Sequence, residues 1–98
     1  MKQRVNWTEK ALQVYHQELR YLRKHHPPKT AHAFKDQLKE LTTMLLRYPY
    51  IGQAGIRDST LRKIKLRPYF VLYYRVQAEG ILVVDLFDGR QDPAKAPE

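Results

Sequence analysis

From Leu61 to Val76 the side chains alternate in character with a period of two, and that alternation constrains the fold more than any other stretch. The stretch reads as two adjacent strands. In the first, Lys63, Lys65 and Arg67 project to one side at intervals of roughly 6.8 Å, while Ile64 and Leu66 face a core. Lining up three like charges adds no stability to a sheet. Such a row is either a solvated edge that discourages strand-to-strand aggregation or a seat for an anionic partner.

The surrounding charge sharpens the second reading. Residues 57–67 hold five basic side chains and one acidic, Asp58. The chain carries a formal net charge of +8, with sixteen of its 18 basic residues before Gln77 and half of its 10 acidic residues after Val76. A field of this kind suits nucleic acid, an acidic protein or an anionic membrane surface, and charge alone does not choose among them. Ninety-eight residues are read as one domain, 1–98, with about 90–98 a loosely held tail rich in proline and alanine. Cysteine is absent, which removes disulfides, thiolate metal sites and cysteine nucleophiles. No apolar run resembles a signal peptide or a membrane span, so a soluble cytoplasmic protein is expected, with no membrane partner.

Ahead of the alternating region the apolar period changes to that of a helix. Arg4-Val5-Asn6-Trp7 can form a short first strand. Thr8 offers an N-cap, Glu9 complements the helix dipole, and Ala11, Leu12, Tyr15, Leu19 and Leu22 recur at steps of three and four up to about Lys24. His25-His26-Pro27-Pro28 ends that helix, because a residue before proline is pushed out of helical geometry. A second helix carries Ala31, Phe34, Leu38, Leu41, Leu45 and Tyr48 and closes at Pro49. Two helices so briefly joined form an antiparallel hairpin whose apolar stripe needs a sheet to cover it.

Residues 49–55 read as a loop, followed by strands at 60–67, 69–76 and 81–87 in an antiparallel meander. On the last strand Leu82, Val84 and Leu86 are expected on one face and Ile81, Val83, Asp85 and Phe87 on the other; both are mostly apolar, so the strand should be central. On the preceding strand Tyr69, Val71, Tyr73 and Arg75 share one face and Phe70, Leu72, Tyr74 and Val76 the other. The expected fold is α+β in the order β-α-α-β-β-β, with the hairpin on one sheet face and a basic opposite face formed by Lys63, Lys65, Arg67 and Arg75.

This order of elements in a basic chain, with Trp7-Thr8, Tyr48-Pro49 followed by Gly52, Lys63-Ile64-Lys65-Leu66-Arg67, Pro68-Tyr69, Tyr73-Tyr74-Arg75 and Asp88-Gly89-Arg90-Gln91-Asp92-Pro93, resembles the RelE/ParE superfamily of bacterial type II toxins. The resemblance implies a toxin of a toxin–antitoxin, or plasmid stabilisation, system with a cognate antitoxin. Its target would be messenger RNA on the ribosome, cut by RelE-like members, or DNA gyrase, poisoned by ParE-like members. In the RNA-cutting branch Lys63, Lys65 and Arg90 match catalytic positions, and Lys63, Lys65, Arg67, Arg75 and Arg90 would bind the anionic target. Two departures favour the ParE-like branch. The arginine expected in the middle of the third strand falls on Val71, and the tyrosine expected near the C-terminus has no counterpart after Tyr74.

Metal-free RNA cleavage needs a base, an acid and cations beside the phosphorus. Neither His16, His25, His26 nor His32 is expected on the charged face, and no spacing suggests a metal site, so neither metal nor cofactor is expected. Tyr69 or Tyr73 could stack on bases, although ordinary half-buried sheet packing is the favoured reading. The antitoxin is expected to be acidic and to fold over the cationic face and over apolar side chains left near Ile81, Val83 and Phe87. A non-catalytic nucleic-acid-binding module is the further alternative.

Overall fold

The computed structural model describes residues 3–66 and 68–98. Its elements are β1 (Arg4–Trp7), α1 (Glu9–His25), α2 (Pro28–Arg47), β2 (Gln53–Ala54), β3 (Arg62–Leu66), β4 (Phe70–Gln77), β5 (Gly80–Asp88) and a 3-10 turn at Pro93–Lys95. One sheet orders them β1-β5-β4-β3-β2, with β1 parallel to β5 and every other pair antiparallel. The α+β architecture is the expected one. The addition is β2, inside the segment expected to be a loop; a Gln-Ala dipeptide has no alternation to announce it and is a strand only through its pairing with Lys63 and Arg62. β4 is the middle strand, and β5 lies between it and β1, which is why both bury apolar side chains on two faces.

Thr8 sets the start of α1 and ties it to the sheet. Its hydroxyl accepts from the Ala11 amide at 3.1 Å and donates to the Val84 carbonyl at 2.6 Å. At the other end the His26 amide donates to the Leu22 carbonyl, and Pro28 opens α2 where no amide donor is needed. Ala11, Leu19 and Leu22 of α1 and Ala31, Phe34, Leu38 and Leu45 of α2 pack on Leu66, Phe70, Leu72, Tyr74, Ile81, Val83 and Leu86. Two side chains of the expected stripes point elsewhere. Leu12 is exposed, one residue of helical rotation off the buried line, and Tyr48 is exposed because α2 stops at Arg47.

A β-bulge corrects the expected faces of β5. Tyr73 pairs with Asp85 and Tyr74 with Val83, so Val84 is the extra residue, and its carbonyl is the one that Thr8 satisfies. One inserted residue inverts the phase of a period-two pattern. Ile81 and Val83 therefore share the main core with Leu86, whereas Phe87 joins Leu61 and Tyr73 in a second cluster on the opposite face. Ile81, Val83 and Phe87 are all buried, so the apolar surface expected to await an antitoxin there is already covered.

The C-terminal segment crosses that second face. Ala96 packs on the second cluster, the Tyr73 hydroxyl donates to the Glu98 carbonyl at 3.3 Å, and the Arg57 amide donates to Glu98 Oε1 at 2.6 Å.

Candidate anion-binding face

Strand register decides which of the expected cations share a surface. Lys63 pairs with Tyr73 and Lys65 with Val71, so both lysines stand on the second face, while Ile64 and Leu66 pack against the main core. Lys65 is exposed and Lys63 half-buried. Neither ammonium has a hydrogen bond or ion pair with another described residue, so both charges are available to a ligand. Arg67 lies outside the described residues.

Arg75 occupies the opposite end of β4. It sits four residues from Val71, about 13 Å along the strand. Its guanidinium bonds Asp58 Oδ2 at 3.0 Å and donates to the Thr60 hydroxyl. Asp58 also accepts from the Thr60 amide at 3.0 Å and the Thr60 hydroxyl at 2.5 Å. Those bonds, the Thr60 hydroxyl first and Arg75 next, hold the Asp58 carboxyl down at about 2. Arg75 thus closes the turn before β3, its charge already met.

Arg90 is likewise committed. It grips Asp88 with Nε at 3.0 Å from Oδ1 and Nη2 at 2.7 Å from Oδ2, and its guanidinium lies 3.7 Å from the centre of the Tyr69 ring. The Tyr69 hydroxyl donates to Glu18 on α1 at 3.0 Å, which links helix, turn and C-terminal loop. The bond from Arg90 pulls the Asp88 carboxyl below its ordinary value, and the Asp88 carboxylate pushes the arginine up. Asp88 pairs with Phe70, five residues from Arg75, so the carboxylate that Arg90 grips lies on a strand position about 17 Å along the sheet from Arg75.

The middle of this face is apolar. Leu61, Tyr73 and Phe87, flanked by Val71 and Val84, form a patch under Ala96. Among the described residues, two unpaired lysines and two ion-paired arginines stand around that patch. Burial first, then Asp85 and Glu98, raises the Tyr73 hydroxyl, which stays protonated. Burial and Glu18 do the same for Tyr69.

Asp85 is the residue that strand reading passed over. It lies opposite Tyr73, is 3% exposed, and receives Lys10 on Oδ2 at 3.1 Å while Oδ1 has no partner among the described residues. Its signal in the sequence is a lone acid inside the apolar run Ile81–Phe87. All four histidines lie on or at the ends of helices and are exposed. Among the described residues no cluster of histidine and carboxylates could hold a metal, and no helix is long and apolar enough to cross a membrane.

Comparison with known proteins adds a family to this geometry. The family model described as "ParE toxin of type II toxin-antitoxin system, parDE" matches residues 5–93. No curated protein matches. Among solved structures the chain is similar to one from the "Chromosomal ParDE TA system from P. aeruginosa", at 17% identity and a TM-score of 0.69, over 88% of this chain and 95% of that one. At that identity the likeness speaks for the fold.

Proposed function

The chain belongs to the ParE toxin family of type II toxin–antitoxin systems, a membership that implies an antitoxin partner, and from this premise we propose that it inhibits growth by acting on DNA gyrase. The observation that carries this choice over RNA cleavage is the state of the cations. Val71 stands in the middle of β4 where the RNA-cutting branch has an arginine, and Arg75 and Arg90 are engaged by Asp58 and Asp88. That leaves the ammonium groups of Lys63 and Lys65, with no described histidine beside them. Losing one preorganised charge-stabilising group typically costs a factor of about 10² to 10³ in rate. A face lacking several is a poor RNA-cutting catalyst and a sufficient docking rim for a macromolecular target.

In this reading Lys63, Lys65 and, where the segment after β3 brings it alongside, Arg67 contact the anionic target or the antitoxin, and Arg75 and Arg90 hold the rim in place. Lys63, Lys65 and Arg90 act as catalytic residues only under the RelE-like alternative. The antitoxin is an acidic segment that folds on binding, and the pair works in the cytoplasm to stabilise its replicon.

The deciding experiment adds purified protein to a gyrase supercoiling reaction and, in parallel, to a translation reaction read by primer extension on the message. Lost supercoiling with intact message is the expected result. Cleaved message with intact supercoiling would assign the RelE-like activity instead. Inhibition of neither, with nucleic-acid affinity that falls steeply as salt rises, would assign a binding module.

A further inference from the structure

Four of the six exposed large hydrophobic side chains among the described residues fall in one segment after α2: Tyr48 at 56%, Tyr50 at 65%, Ile51 at 54% and Ile56 at 96% exposure. The segment is fixed from two sides. From the core, the Tyr74 hydroxyl donates to the Pro49 carbonyl at 2.8 Å and accepts from the Gly52 amide at 2.9 Å. From β3, Arg62 Nη1 donates to the carbonyls of Tyr50 at 3.1 Å and Gly52 at 2.7 Å, with its guanidinium 5.0 Å from the Tyr50 ring centre. The two-residue strand β2 and the bond from the Gly55 amide to the Leu61 carbonyl anchor the remainder. A segment held this way cannot fold its apolar side chains inward. It presents them at little entropic cost to a partner.

Cations outnumber acids around these side chains. Residues 47–57 contain no acid, Asp58 is taken by Arg75, and the Glu98 carboxylate that reaches the segment accepts from the Arg57 backbone amide at 2.6 Å. The guanidinium groups of Arg47, Arg57 and Arg62 form no ion pair among the described residues. Ile51 and Ile56 are at most about 17 Å apart, a span that two or three turns of a partner helix would cover.

We infer that residues 48–56 form a docking surface for an acidic protein segment that carries aliphatic side chains, separate from the lysine rim of β3. A second copy of the chain is disfavoured because each carries +8. Nucleic acid has phosphates for the arginines but nothing that would bury two isoleucines. An acidic amphipathic segment satisfies both demands. This inference stands apart from the gyrase reading, since it concerns the chemistry of the surface and not the identity of the target.

The test is amide chemical-shift mapping on the full chain with four probes: a 15-residue helix-forming peptide of glutamate and leucine, the same peptide with serine for leucine, the same with lysine for glutamate, and an oligothymidylate. The glutamate–leucine peptide should shift the 48–57 amides saturably, with affinity that falls as salt rises. Ile51→Ser and Ile56→Ser, both at exposed positions, should each weaken it about tenfold, equivalent to about 1.4 kcal/mol, whereas Lys65→Ala should leave it unchanged. Shifts centred on β3 and β4, equal binding of the serine or lysine peptide, or stronger shifts from the oligonucleotide would each overturn the inference. So would loop shifts that depend on protein concentration alone and vanish in Ile56→Ser, which would mark a self-association surface.

Discussion

The buried hydroxyl of Tyr74 makes the most exacting prediction, because two of the bonds that fix the loop meet at one oxygen atom. Tyr74 is 0% exposed, and its hydroxyl bridges Pro49 and Gly52. Tyr74→Phe preserves the ring and removes both bonds. Each is worth about 0.5–1.5 kcal/mol net, and the buried Gly52 amide left without an acceptor costs about 1–3 kcal/mol more. A loss of about 2–6 kcal/mol follows, a large share of the stability of a domain this size. At roughly 4–8 °C per kcal/mol, Tm should fall by at least about 8 °C. Tyr73→Phe is the control: its hydroxyl makes one long bond, 3.3 Å, to the C-terminal segment and should cost no more than about 0.5 kcal/mol. Urea titrations of the two variants give the comparison, and hydrogen exchange at the Gly52 amide localises it. Equal stabilities, or a Gly52 amide as protected in Tyr74→Phe as in the parent, would refute the reasoning. The same burial raises the Tyr74 pKa above its ordinary 10.0, so the unfolded chain ionises first. Stability from the neutral hydroxyl is therefore complete below pH 10 and is lost as pH climbs through the higher folded value, a slope that Tyr74→Phe should reduce.

Other consequences are open to the same kind of measurement. Gly52→Ala should cost about 1–3 kcal/mol by denaturation, because an added Cβ would stand 2.6 Å from Tyr74 Oη and 2.9 Å from the Lys63 carbonyl, and the backbone atom cannot swing away. Asp58, held at about 2 against an ordinary 3.8, contributes stability that is present above pH 3.8 and fades as pH falls toward 2; Asp58→Asn should flatten the acid unfolding profile in that window. Lys63→Ala and Lys65→Ala break no ion pair and should leave stability within about 0.5 kcal/mol of the parent, while weakening inhibition of the target. Arg90→Ala should lower Tm detectably, because it unstacks Tyr69 and leaves Asp88 without its clamp.

Much of the fold was legible because each element carried its own local instruction. Thr8 and Glu9 mark a helix start, Pro27-Pro28 a break, and the 3.6 period from Ala31 to Leu45 a buried face. What escaped depended on contacts with residues distant in sequence. The bulge at Val84 is invisible in a run of seven residues of which six are apolar, since inverting the phase of such a run leaves it looking the same. β2 exists only as a partner for β3, and the segment after β5 finds its place only once Tyr73 and Arg57 are near each other.

The candidate face shows the same division in electrostatic terms. Alternation along β3 correctly placed Lys63 and Lys65 outward, because side-chain direction in a strand is local geometry. Whether a cation is available to a ligand is not local. Asp58 reaches Arg75 from a position 17 residues earlier, and the Tyr69 ring that stacks Arg90 comes from the turn before β4. Two of the expected anion-binding arginines, Arg75 and Arg90, are each paired with a carboxylate in a neighbouring turn. The loop of residues 48–56 depends on distant contacts in the same way. The sequence marks residues 49–55 only as a loop, and it takes Tyr74 and Arg62 to show that its tyrosines and isoleucines are held outward, beside guanidinium groups that form no ion pair among the described residues. A partner selected by this chain would be read first by that difference between the charges present and the charges left unpaired.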